Sequence, residues 1–307
     1  MTIKNLKIAL STFLFSAMSY AKPLVVTTLP EFAYLVSEIA KDQVEVKSLL
    51  VGNENPHFLD VRPDFISTLR KASLICFSGL ELEVGWLPKS IEKAANPKIR
   101  ANTQGSCDLG SQVSAIDKIN TPIDRSMGDV HAAGNPHYNL SLKQIRLTLN
   151  FLTQKLTELV PEQKRFFESN KQSLDNKLKN LDEQVSQKFE LLKTRNNGSV
   201  KVSQYHKEFS YLLKDYLLTE QVSIEEKPGI SPSAGRVQKV AMQIKNEQVD
   251  LIVAADDAPL STLEKLKESA GVPYVILPRG FNIEKNINSF EKLYTEILKS
   301  FSSTLTK

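Results

Sequence analysis

Cysteine, tryptophan and histidine are scarce in this chain: two, one and four among 307 residues. Two cysteines, Cys76 and Cys107, cannot build a Cys-rich zinc site, so any metal site here leans on imidazole and carboxylate. An excess of charge is missing too. Lys and Arg number 39 against 35 Asp and Glu, a formal net charge of +4. No basic block is interleaved with aromatics, which leaves nucleic-acid binding without support. Nor does any apolar run reach the roughly 20 residues that cross a bilayer.

What is present begins with a leader. Lys4 and Lys7 precede an apolar run over residues 8–18, followed by Ser19-Tyr20-Ala21. A basic segment, a short apolar segment and a small-x-small site predict cleavage after Ala21 and export to the periplasm. No cysteine follows that site, so an unanchored chain is expected. An oxidising compartment would permit Cys76 and Cys107 to pair.

The rest of the chain alternates. "PLVVTTL", "VEVKSLL", "SLICFSG" and "KIRANT" read as strands, separated by the helical "PEFAYLVSEIAK", "RPDFISTLRKA" and "WLPKSIEKAAN". Strands alternating with helices of about ten residues predict a parallel sheet. From 140 to 194 the strand signal stops, and one helical stretch is broken only at Pro161. Within it Phe167, Leu174, Leu178, Leu181, Val185, Phe189 and Leu192 form a single apolar stripe, and "NNG" ends the helix. The alternation then resumes with "VKVSQ", "VDLIVAA" and "PYVILP" as strands. The fold expected is α/β: two lobes, each with a mainly parallel sheet flanked by helices, joined by one long linking helix. The divisions are residues 1–21 for the signal peptide, 22–160 and 196–307 for the lobes, and 161–195 for the linker.

Ligands of open α/β sheets gather at the carboxyl ends of strands. His57 follows the second strand, His206 follows "VKVSQ", and Asp256 and Asp257 follow "VDLIVAA". His137 lies in the Gly/Pro-punctuated loop "MGDVHAAGNPHYNLS", which also carries His131. Asn-Pro precedes both His57 and His137, and proline stiffens the approach of a ligand loop.

Four motifs, "NPHFLDVRPD" (55–64), "GDVHAAGNPHYNLS" (128–141), "QYHKEFSYLLKDYLL" (204–218) and "EKPGISPSAGRV" (226–237), give the chain a family likeness. It resembles the metal-specific solute-binding proteins of ABC transporters, the zinc- and manganese-binding cluster. The resemblance covers essentially the whole chain after the leader. It implies one metal held in the cleft between two lobes, with His57, His137 and His206 as ligands. Family members with a ligand Asp usually carry it after the last strand, where this chain reads "LPRGFN". The fourth ligand therefore falls to Asp257, with Asp256 or His131 as alternatives; Asp257 is equally suited to cap the helix that follows it.

A third imidazole in place of a carboxylate favours Zn²⁺ over Mn²⁺. The expected function is a periplasmic carrier, monomeric and not membrane-spanning, that hands Zn²⁺ to an ABC permease and its ATPase subunit. A Mn²⁺ carrier and a periplasmic zinc-dependent hydrolase are the alternatives. Against the hydrolase, the chain lacks a His-Glu-x-x-His helix and an evident general base beside a ligand. Turnover of a peptide or ester, lost with chelator, would distinguish it from a carrier.

Overall fold

The computed structural model describes residues 21–52, 54–119, 128 and 130–305. The expected leader thus lies outside the described residues, apart from Ala21.

The first sheet is built from β1 (Leu24–Thr27), β2 (Glu45–Ser48), β3 (Leu74–Phe77) and β4 (Ser106–Asp108). All pairs are parallel, in the order β2-β1-β3-β4. Helices α1 (Pro30–Ala40), α2 (Pro63–Lys71) and α3 (Leu87–Ala94) connect them, each with proline in its first turn. Proline is suited there because the first N–H groups of a helix have no partner within it. The expected strand "KIRANT" is corrected. Pro97–Ile99 is a 3-10 turn, capped by the Asn96 side chain, which accepts from Lys98 N. The strand itself forms later, at Ser106–Asp108, where Cys107 pairs in register with Cys76. A disulfide joins the two.

Helix α4 (Leu142–Leu159) starts at Ser141, whose side chain accepts from Gln144 N. The chain breaks at Pro161 as expected and continues as α5 (Lys164–Arg195), 32 residues long. Six members of its apolar stripe are buried, and Leu181 is half-buried. The helix packs on α4, on α1 and on the C-terminal helix α9 (Phe290–Leu305).

The second sheet repeats the first. It contains β5 (Lys201–Gln204), β6 (Thr219–Ser223), β7 (Leu251–Ala254) and β8 (Tyr274–Ile276), parallel throughout in the order β6-β5-β7-β8. Helices α6 (Ser210–Asp215), α7 (Ala234–Asn246) and α8 (Leu260–Ala270) flank it. Strand β6 gave no sequence signal because it is an edge strand in which only Val222 is buried.

One apolar cluster runs from Val25, Phe32 and Ile75 through Leu178 and Phe189 to Val202, Val253 and Phe301. Both lobes and the long helix therefore share a core. A separate cluster, including Val237, Val240 and Leu263, covers the other face of the second sheet. Among the described residues no helix is long and apolar enough to cross a membrane.

Candidate metal centre

The two Asn-Pro-His segments fold alike. Asn55 Oδ1 accepts from His57 N at 3.1 Å, and Asn135 Oδ1 accepts from His137 N at 3.0 Å. Such turns let an Asn side chain stand in for a backbone acceptor. The intervening proline carbonyls are anchored by buried donors: Trp86 Nε1 reaches Pro56 O at 2.8 Å, and Ser78 Oγ reaches Pro136 O at 3.3 Å. Asn135 also donates to Lys207 O at 2.7 Å, which ties this loop to the segment after β5. Each histidine is thus delivered by a braced loop.

His206 stands at the end of β5, and its Nδ1 donates to Glu225 Oε2 at 2.8 Å. Glu225 Oε2 also accepts from Gly229 N. A carboxylate on one ring nitrogen fixes the tautomer and leaves Nε2 as the electron-pair donor.

The three rings converge between the lobes. His57 Nε2 lies 3.1 Å from His137 Nε2. Ring centroids are 4.9 Å apart for His57 and His137, 5.9 Å for His57 and His206, and 5.5 Å for His137 and His206. One nitrogen from each falls within 4.8 Å of the others, the only such group of three metal-binding side chains among the described residues. His137 is buried, and its pKa is held well below the ordinary 6.5, first by burial and then by the charges of His57, His206, His131 and Arg279 around it. A neutral imidazole is the form that can coordinate.

The other expected residues are placed differently. His131 packs its ring 5.0 Å from that of His57 but is not in the group of three. Asp257 is not in it either. One of its oxygens is ion-paired with Arg279 and the other accepts from Asn55 Nδ2 at 3.0 Å. It does not cap α8, whose N-cap is Pro259. Asp256 pairs with Lys285 at 3.1 Å and Arg279 at 3.6 Å.

Sequence reasoning missed Glu208, Glu225 and Arg279. With His57, His206 and Asp257 they line a cavity of about 230 Å³ beside the imidazoles. Glu208 is 4% exposed, and burial pushes its carboxyl up to about 7 against the opposing pull of Arg279 and His206. Its signal was the short spacing in "HKE"; Glu225 and Arg279 carried none, since they reach the site only through the fold.

The sequence matches the model of one protein family, Zinc-uptake complex component A periplasmic, over residues 25–307. The chain belongs to this family. Among its relatives, the metal ABC transporter substrate-binding lipoprotein of Lactococcus lactis is 26% identical over 257 residues, 81% of this chain and 76% of that protein. The manganese ABC transporter substrate-binding lipoprotein PsaA of Streptococcus pneumoniae is 22% identical over 287 residues, 92% of this chain and 82% of that one. The periplasmic zinc-binding protein TroA of Treponema pallidum shares the fold, with a TM-score of 0.73 at 20% identity. That match covers 93% of this chain and 99% of TroA. The resemblance read from the four motifs, to metal-specific solute-binding proteins of ABC transporters, therefore holds.

The localisation read from the sequence is corrected by these names. An unanchored chain in the periplasm was expected because no cysteine follows Ala21, yet the Lactococcus lactis and Streptococcus pneumoniae relatives are lipoproteins. The expectation of an unanchored chain therefore does not stand.

Proposed function

We propose that this chain captures a divalent metal ion, Zn²⁺, with His57, His137 and His206, and delivers it to an ABC-type permease driven by its ATPase subunit. The observation that carries the reading is the convergence of three imidazole nitrogens, from loops of both lobes, to within 4.8 Å. Three imidazoles are a softer set than the mixed imidazole and carboxylate sets that suit Mn²⁺, so Zn²⁺ is preferred. Family membership supports carriage rather than catalysis.

The carrier acts as a single chain, with lobes of residues 22–160 and 196–307 on either side of a linker at 161–195. Because one apolar cluster passes through both lobes and the linker, wide hinge opening would expose core. Release therefore proceeds by local movement of the ligand loops.

The test is equilibrium competition with a chelator, monitored together with metal content by mass spectrometry. The expected result is one Zn²⁺ per chain, bound more tightly than Mn²⁺, with binding nearly abolished by His57→Ala, His137→Ala or His206→Ala. Unchanged affinity in all three variants would defeat the reading.

A further inference from the structure

Three neutral imidazoles leave a dication's charge uncompensated, and a tetrahedral zinc site requires a fourth donor. The carboxylates around the cavity differ in what they already hold. Asp257 has one oxygen on Arg279 and the other on Asn55, and its side chain is 51% exposed. Asp256 is shared between Lys285 and Arg279. Glu225 holds His206 Nδ1 and Gly229 N, behind the ring, and cannot turn to the ion without releasing that imidazole.

Glu208 is unlike these. It is 4% exposed and lines the same cavity as His57 and His206, and among the described residues none donates it a hydrogen bond. Arg279 acts on it electrostatically but directs its own contacts to Asp257 and Asp256. Its acceptor oxygens are thus uncommitted, whereas those of Asp257, Asp256 and Glu225 are already held. The segment that carries it, Lys207–Phe209, continues directly from His206 and is fixed by Phe209 N donating to Gln204 Oε1 at 3.1 Å.

We propose that Glu208 is the fourth ligand, completing a site of three imidazoles and one carboxylate, while Asp257 serves as a bridge between the lobes. The proposal rests on the metal-carrier reading above. Glu208 lies outside the group whose ligand atoms fall within 4.8 Å of one another, so its side chain rotates toward the ion as the ion enters. A carboxylate on three flexible torsions, adjacent in the chain to a fixed histidine ligand, can make that movement without displacing a loop.

The experiment compares the full chain with Glu208→Gln, Asp257→Asn and His57→Ala. Zn²⁺ affinity is measured by chelator competition, metal-free melting by calorimetry, and carboxylate ligation by the infrared difference spectrum on adding Zn²⁺. Glu208→Gln is expected to lose more than about 100-fold in affinity, beyond the range for partners outside the ligand set. Its metal-free form should melt close to the wild-type temperature, because no hydrogen bond from a described residue is lost with the carboxylate. The carboxylate band that appears with zinc should vanish in Glu208→Gln and persist in Asp257→Asn. Wild-type affinity in Glu208→Gln, or a larger loss in Asp257→Asn, overturns the proposal. If His57→Ala also binds normally, the carrier reading itself fails, and the two failures are distinct.

Discussion

Asn55 Nδ2 donates to Asp257 Oδ2 at 3.0 Å, joining a loop of the first lobe to a loop of the second. The same Asn55 holds the backbone of His57 through its Oδ1. One amide therefore couples the aim of a metal-binding ring to the closure of the cleft. Asn55→Ala is expected to weaken Zn²⁺ binding by about 10- to 100-fold without abolishing it, the usual cost of losing a partner behind a ligand. Chelator titration of the variant checks this; a loss as complete as that of His57→Ala would make Asn55 more than a brace.

Acid should act on the metal-free protein through His137. Its folded pKa is depressed below 6.5, so the native state favours the neutral ring. The sign follows from proton linkage: the unfolded chain takes up the proton first, and stability present above about pH 6.5 is lost as pH falls through the lower folded value. Urea midpoints of the metal-free protein should drop as pH falls below about 6.5. His137→Gln should flatten part of that slope.

Glu83 should show the opposite sign. It is buried, and burial raises its carboxyl to about 7, although Thr28 Oγ1, Ser78 N and Gly79 N all donate to it. An acid with a raised folded pKa contributes stability that is full below about 4.5 and is lost as pH rises to about 7. Glu83→Gln removes hydrogen bonds and destabilises at all pH values. Its deficit relative to wild type should nevertheless shrink as pH rises through that window. A constant deficit from pH 4.5 to 7.5 in calorimetry would mean that Glu83 does not titrate there.

The disulfide between Cys76 and Cys107 closes a loop with a sequence separation of 31. Loop-closure entropy for that length corresponds to about 3–4 kcal/mol. Cys76→Ser with Cys107→Ser should lower the unfolding free energy by up to that amount. Free-thiol titration of the denatured, unreduced wild type should find none among these two residues.

Gly280 is sterically required. A Cβ at that position would lie 2.0 Å from Glu31 Oε1 and 2.8 Å from Asn139 Nδ2. Those atoms form a buried tie: Glu31 Oε1 accepts from Asn139 Nδ2 at 3.0 Å and from Phe281 N at 2.8 Å. Gly280→Ala is expected to cost about 1–3 kcal/mol and to weaken metal binding, since Asn139 follows His137 closely. Denaturant midpoints and chelator titration on the same samples test both effects.

Much of the architecture was legible because local patterns and tertiary packing agree. The stripe on α5 belongs to a helix that packs on α1, α4 and α9, and the proline in the first turn of α1, α2 and α3 marks each start. The two Asn-Pro-His segments were readable for a similar reason, since Asn and Pro shape the turn locally. Strand β6 was not readable, because an edge strand with one buried residue has no alternation to detect. The charged surroundings of the imidazoles were the least accessible. Whether Asp257 faces an ion or Arg279 depends on a contact between residues far apart in the chain, and no spacing encodes it.

His57 and His137 are 80 positions apart, and His206 lies beyond the long helix. In a chain that has not yet assembled both lobes, His206 is remote from His57 and His137, and the entropy of bringing it to them opposes joint capture by all three. An ion held by all three would therefore favour only the finished structure, adding its binding free energy to the native state and none to partly folded forms. Occupancy of the centre is then a record of completed folding. A chain cut within α5 would retain two of its imidazoles and have no cleft in which to use them.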